Sequence, residues 1–331
     1  MRRYFARKLI TYCITFFAAV TVDWMIPHLM PGDPIQSLMA NIRVQDARTY
    51  NMLYNQFAKS FRTDLPLWKQ YYYFWNSLFH GDLGISIMNF PTPVTTLIMR
   101  SAPYTLGLLI PAILLSWYAG NKTGAIAARR KVLDNTILPV SYALTATPYM
   151  WFAMVLAWLF AFIWRWFPMS YGYDTTLIAG WNTQFILSLL KHWFLPFMSL
   201  FLVSFGGWAI GMRNMIIYEL ESDYSHYLEA LGAPRRLVRK YAFRNAMLPQ
   251  ITGLALQVGA ILAGALVTEI VFAYPGLGSQ IYRAIQTKDY FVIQGIFLFI
   301  IIGVLVANFI VDIVYVLVDP RTRIGMQGGQ A

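Results

Sequence analysis

The chain has 331 residues, of which 58% are hydrophobic and 17% aromatic but only 12% charged. A soluble globular chain carries roughly twice that share of charge, which excludes an ordinary aqueous enzyme and points to a membrane protein. At about 20 apolar residues per crossing, the length allows roughly five to eight transmembrane helices and no large soluble domain. The single Cys13 rules out a disulfide framework and a Cys-based metal site. His28, His80, His192 and His226 are too far apart in sequence for a local zinc motif. The net charge of +11 is read as basic loops holding one side of the chain in the cytoplasm, and not as a nucleic-acid partner.

In chain order, six segments are long and apolar enough to cross a bilayer: 9–30, 101–121, 135–164, 193–212, 251–273 and 291–318. The first follows Arg2, Arg3, Arg7 and Lys8, but it is longer than the apolar part of a signal peptide. It ends in the turn Met30-Pro31-Gly32-Asp33-Pro34 with no small-residue cleavage site, so a retained helix is expected. Segments 1–8, 121–135, 213–248 and 319–331 hold 16 of the 26 Lys and Arg, which places both termini in the cytoplasm. The expected fold is therefore all-α and polytopic, with six transmembrane helices. Residues 1–100 make a first helix plus an outer-face subdomain, 101–318 a five-helix core with a cytoplasmic loop at 213–248, and 319–331 a cytoplasmic tail. Within the long outer loop, 41–61 and 67–79 mix apolar and polar residues as short surface helices do. On the fifth crossing, Gly259, Ala260, Ala263 and Gly264 form two small-xxx-small pairs suited to close helix packing.

Three acids fall inside crossings, where a carboxylate is costly and is a functional hypothesis by default. Asp312 is close to the cytoplasmic end marked by Asp319-Pro320. Glu269, near the outer end of the fifth crossing, either lines a path or pairs with another helix. Asp23 is eight residues before Pro31, roughly 12 Å from the outer turn, a depth compatible with a solute path.

The cytoplasmic segment between the fourth and fifth crossings is the most informative. Ser222 or Asp223 starts a helix and Gly232 followed by Pro234 stops it. Between them Tyr224, Tyr227, Leu228 and Leu231 recur at i, i+3, i+4 and i+7, one apolar stripe on a helix about 12 Å long. Such a stripe fits a groove on another protein; it fits equally the chain's own bundle or the lipid headgroups. A second helical stretch carries Arg235, Arg236, Arg239, Lys240 and Arg244, whose charges hold the loop inside. No phosphate-binding GxxxxGK[ST] loop exists, since Gly120-Asn121-Lys122-Thr123 lacks the upstream Gly and strand. The chain by itself cannot hydrolyse ATP. It also lacks a recognisable catalytic constellation, so no catalytic and no metal-binding residues are assigned and it is not expected to be an enzyme.

At this loop the sequence resembles the integral membrane permeases of binding-protein-dependent ABC importers, in the dipeptide, oligopeptide and nickel branch. Asp223-Tyr224 through Gly232 to Arg244-Asn245-Ala246-Met247-Leu248-Pro249 is similar to that branch's cytoplasmic coupling loop. Leu29 to Pro34 resembles the turn after its first helix, and Gly81-Asp82-Leu83-Gly84 its outer-loop signature. Thr268-Glu269, Tyr274-Pro275-Gly276-Leu277-Gly278, Asp289-Tyr290, Gln294-Gly295, Val311-Asp312 and Asp319-Pro320-Arg321 continue the match in order. His226, Tyr227 and Leu228 depart from the small residues usual there, so the coupling face is bulkier than the pattern.

The resemblance implies a chain in the cytoplasmic (inner) membrane of a prokaryote, working with a second homologous permease, two ATPase subunits and an extracytoplasmic solute-binding protein. The residues implied as coupling face are Asp223, Tyr224, Tyr227, Leu228, Glu229, Leu231 and Gly232, with Asp23 and Glu269 as candidates for the path. ATP and Mg would be held by the ATPases, and no cofactor by this chain. The solute would be an oligopeptide, or an oligosaccharide in view of the many rings. The rival reading is a secondary transporter driven by an ion gradient, with Asp23 and Glu269 as relay acids.

Overall fold

The computed structural model describes residues 2–41 and 46–318; the 319–331 tail, with Asp319, Pro320 and Arg321, lies outside the described residues. In chain order the elements are α1 (Arg2–Leu29), α2 (Pro34–Asn41), α3 (Ala47–Ser60), α4 (Leu67–Phe79), α5 (Val94–Ala127), α6 (Lys131–Ala146) and α7 (Tyr149–Leu156), which continues as a π-helical stretch over Ala157–Ile163. There follow α8 (Thr183–Leu220), α9 (Asp223–Ala230), α10 (Arg235–Val271), α11 (Leu277–Thr287) and α12 (Tyr290–Val318). Among the described residues no strand forms beyond an isolated bridge between Ile85 and Pro93.

Among the described residues four helices are long and apolar enough to cross a membrane, through Lys8–Leu29, Val94–Ala127, Thr183–Leu220 and Tyr290–Val314. Two more crossings exist if each of two bent pairs counts as one. α6 and α7 with its continuation meet at 104°, and the two parts of α10, Arg235–Leu254 and Gln257–Val271, at 47°. The expectation of one uninterrupted crossing over 135–164 is thereby corrected. Thr147 is extended (φ −86, ψ 125) because the ring of Pro148 disfavours the helical region for the residue before it, and Pro148 then opens α7.

Residues Phe5–Pro103 and Gly276–Leu305 make one compact unit. The short helices expected within 41–61 and over 67–79 are present as α3 and α4. Asp46 starts α3 by accepting the Thr49 backbone N–H at 3.0 Å, and its bonds to the Thr49 backbone and hydroxyl hold its carboxyl below the usual range. In the Pro-Gly-Asp-Pro turn, Asp33 accepts the Ile35 N–H at 2.8 Å and the Tyr54 hydroxyl at 2.5 Å, so one carboxylate fastens the start of α2 to α3. Ile35, Leu38 and Met39 then pack with Ala58, Phe61 and Ile87. A second core joins Val94 and Ile98 of α5 to Leu277, Ile281, Ile293 and Ile296.

Residues Tyr104–Pro275 belong to the other unit, in which α8 packs with α6, α7 and α10. Close approach is enforced by absent side chains. A Cβ on Gly124 of α5 would overlap the Ala209 carbonyl of α8, and one on Gly120 would overlap Trp208 and lie 2.8 Å from the Phe205 carbonyl oxygen. On α6, the Ser141 carbonyl comes within 2.5 Å of where a Cβ on Gly206 would sit. The small-residue expectation at the fifth crossing holds at Gly264, whose Cβ position is 2.9 Å from the Tyr149 ring. It does not hold at Gly259, which has nothing within 4 Å.

Gly124→Leu should therefore lower the melting temperature of the purified permease in detergent, since overpacking a tight contact costs about 1 to 3 kcal/mol or more. Gly107→Ala, on the same helix with open space around it, should leave the melting temperature unchanged or slightly raised.

Candidate coupling face and buried polar sites

α9 is braced at both ends. In the last turn of α8, the Glu219 carbonyl accepts the hydroxyls of Ser222 (2.6 Å) and Ser225 (2.7 Å), while its carboxylate accepts the Tyr224 hydroxyl at 2.7 Å. Ser222 occupies the extended cap position, yet its hydroxyl points back to α8 and not to the free N–H groups of α9. Ser225 is fully buried. Burial, and then the bond to Glu219, push the Tyr224 phenol above its ordinary pKa, so it remains a donor at physiological pH.

At the other end Gly232 has φ +76. Its N–H reaches the Glu229 carbonyl at 2.9 Å and the Ala233 N–H reaches the Leu228 carbonyl at 3.0 Å, the paired bonds of a Schellman stop. A residue with a Cβ is strained in that left-handed conformation. The chain then enters α10, where Val238, Ala242 and Ala246 form the buried stripe and Arg235, Arg236, Arg239, Lys240 and Arg244 are all exposed.

This bracing divides the predicted stripe. Tyr224 and Leu228 are half-buried against their own chain, whereas Tyr227 and Leu231 remain 65% and 66% exposed. Asp223 and Glu229 are exposed beside them. A short, rigid helix thus presents two large apolar side chains outward. Close by in the same unit, Arg213 grips Asp134 through two parallel bonds of 2.9 and 2.6 Å, fixing the start of α6 to α8. No spacing in the sequence announced that pair, which is 79 residues apart.

The two acids proposed for a path have different surroundings, each within its own unit. Glu269 is fully buried near the end of α10, and the Thr105 hydroxyl of α5 donates to it at 2.6 Å. Beside it the Ser199 and Thr268 hydroxyls are 3.5 Å apart, and the Tyr274 N–H donates to the Glu269 carbonyl at 2.8 Å. Asp23 is 2% exposed on the face of α1 that also buries Val20, Trp24 and Pro27. Neither of its carboxylate oxygens has a hydrogen-bond partner among the described residues. A buried carboxyl left so is costly, and a helix-packing role alone would be served better by Leu.

Two further motifs, separate in the sequence, are joined in the structure. The loop that follows Gly81-Asp82-Leu83-Gly84 is clipped to the start of α12 by Asp289, which is 1% exposed. Its Oδ2 accepts the Ser86 hydroxyl at 2.5 Å and the Met88 N–H at 3.1 Å, and its Oδ1 the Val292 N–H at 3.4 Å. The neighbouring Tyr290 hydroxyl donates to the Gly32 carbonyl at 3.3 Å. Sequence reading found each motif but missed this contact, because some 200 residues lie between its partners.

Residues 112–324 match the family of binding-protein-dependent transport system inner membrane components. The di/tripeptide transport system permease protein DppB of Pseudomonas aeruginosa is 32% identical over 98% of this chain and 99% of its own length. The dipeptide transport system permease protein DppB of Escherichia coli is 30% identical over 98% and 99%, and the oligopeptide transport system permease protein AppB of Bacillus subtilis 30% identical over 97% and 99%. The chain therefore belongs to this family: it is an inner-membrane, multi-pass permease of an ABC importer. Membership brings with it ATPase and solute-binding partners, and the permease is the membrane component and not the ATPase.

Asp289→Ala would leave a hydroxyl and two backbone N–H groups without their acceptor, at about 1 to 3 kcal/mol for each buried orphan. A clear drop in the melting temperature of the purified permease is expected, with Asp289→Asn milder because its amide oxygen still accepts.

Proposed function

We propose that this chain is one of two homologous permeases in an ATP-driven importer of short peptides. It would cross the membrane six times with both termini in the cytoplasm, and be driven through α9 by two ATPase subunits that hold ATP and Mg. An extracytoplasmic binding protein delivers the solute. The observation that carries the coupling role is the outward pair Tyr227 and Leu231 on a helix braced by Glu219 and stopped at Gly232. Because the start of α9 is fastened to α8 through Glu219 and its end is closed by the Gly232 stop, a push from an ATPase groove would pass to α8 as a rigid displacement. The permease needs no reactive group for this, only different contacts with its partners in two states. Asp23 and Glu269 are assigned to the path, where a carboxyl can meet the charged groups of a peptide.

A peptide is favoured over an oligosaccharide because the three relatives are permeases of peptide transport systems. Many rings are also occupied by one another, as in the stack of Trp193 on Phe197 at 4.2 Å and of Phe167 on Phe194 at 4.8 Å, so a ring-rich composition does not call for a sugar.

Burying a Leu side chain is worth roughly 1.5 to 3 kcal/mol, and an unpaired charge in the same groove costs more. Leu231→Glu and Tyr227→Glu should abolish substrate-stimulated ATP hydrolysis and uptake while the permease still inserts. Gly232→Val should act in the same way through backbone strain, and Arg236→Gln should be mild. Normal coupled uptake by Leu231→Glu would defeat the assignment of α9.

Topology is tested separately. In a Cys13→Ala background, cysteines at Asn51 and Thr175 should react with an impermeant thiol reagent applied to intact cells, and one at the exposed Glu229 only after permeabilisation. Labelling of position 229 from outside would overturn the orientation.

A further inference from the structure

We infer that α4 is a half-inserted membrane element, seated along α1 with its outer face on the acyl chains of the outer leaflet. Contacts between the two helices step along both together. The His28 Nε2 is 3.1 Å from the Gln70 Oε1, the Thr21 hydroxyl is 2.9 Å from the Tyr71 hydroxyl, and the Phe17 ring is 5.1 Å from Trp75. Between the first and last of these, Trp24 meets Tyr71 edge to face at 5.0 Å. From His28 to Phe17 the contacts cover about 16 Å of α1 at 1.5 Å per residue. α4 therefore runs antiparallel to α1, down from the outer end of a membrane crossing, and does not lie across its top.

The exposed surface of α4 suits lipid. None of its residues is fully buried, and Trp68, Tyr72 and Phe79 are 69%, 65% and 71% exposed. Leu67 is exposed with them. On α1 the exposed residues Val22, Met25, Ile26 and Leu29 face outward, as befits a crossing. Phe17 is half exposed and touches Trp75, so the apolar surface of α1 continues onto α4 without a break. That continuity with a lipid-facing helix selects lipid over a protein partner as the occupant. Near the outer end, the Lys69 ammonium lies 5.3 Å over the Trp68 ring, where a long stem can carry its charge back to the headgroups.

An element that enters a bilayer and returns must satisfy its own backbone at the tip. This one does so. The N–H groups of His80 and Asp82 reach the Ser77 carbonyl, that of Gly81 the Leu78 carbonyl, and that of Gly84 the Asp82 carboxylate at 2.9 Å. Neither the proposed coupling through α9 nor the nature of the solute enters into this assignment.

The test uses the full chain in phosphatidylcholine and phosphatidylglycerol vesicles together with its co-purifying subunits. In a Cys13→Ala background, single cysteines replace Trp68, Tyr72, Phe79 or, as aqueous reference, the exposed Asn51, and each carries a nitroxide label. Collision with oxygen relative to a water-soluble nickel chelate should be several-fold higher at 72 and 79 than at 51, with 68 between. All four positions are exposed, so the labels remove no core contact. As a second reading without labels, Trp75→Phe should reduce the fraction of tryptophan fluorescence quenched by lipids brominated in their acyl chains. Nickel access at 72 and 79 equal to that at 51 would overturn the inference in favour of water. Protection from both reagents would overturn it in favour of a covering protein.

Discussion

Inside a bilayer no water is available to pair with a peptide group, and each unpaired N–H or carbonyl costs several kcal/mol, on the order given for polar burial. The rest of the structure is arranged around that constraint. Crossing segments are helices that supply their own pairs, and where the helix is interrupted the lost pairs are replaced locally. At Thr147 the N–H still reaches the Leu144 carbonyl. At the end of the π-helical stretch the Trp164 N–H reaches Leu159. The 104° bend between α6 and α7 is thus compatible with membrane depth.

The same accounting separates polar side chains that hold the protein together from those left over for work. Asp33, Asp134, Asp289 and Glu269 each have named donors, two of them reaching across more than 150 residues of sequence. Asp23 has none among the described residues although it is as buried as Asp289 and Glu269, and this imbalance makes it the more distinctive of the two acids proposed for the path. In α9 the imbalance is apolar. Tyr227 and Leu231 remain in water while the polar Ser225 of the same helix is buried, the reverse of what a free-standing loop would adopt.

Helix–helix contact in a membrane has no hydrophobic driving force between chains already in an apolar solvent, so it depends on shape. Here α8 is approached from two sides, by α5 at Gly120 and Gly124 and by α6 at Gly206. The Arg213–Asp134 fork fixes one end of the second approach. α8 leads directly into α9, so the helix that receives the proposed push is also the one most tightly held by its neighbours.

Much of this was legible in the sequence because it depends on local chemistry. Long uncharged runs dictate crossings, Ser222 and Gly232 bound α9, and the period of Tyr224, Tyr227, Leu228 and Leu231 places them on one stripe, since helix geometry alone fixes those relations. The tertiary structure decided what sequence spacing does not encode. It showed that Tyr224 and Leu228 turn home while Tyr227 and Leu231 turn out, and that Thr105 meets Glu269. It also showed that Ser86 meets Asp289 and that α4 runs along α1. A one-dimensional pattern specifies which face of a helix is apolar, but which neighbour covers that face depends on contacts between segments far apart in the chain. Those contacts exist only once the helices have packed.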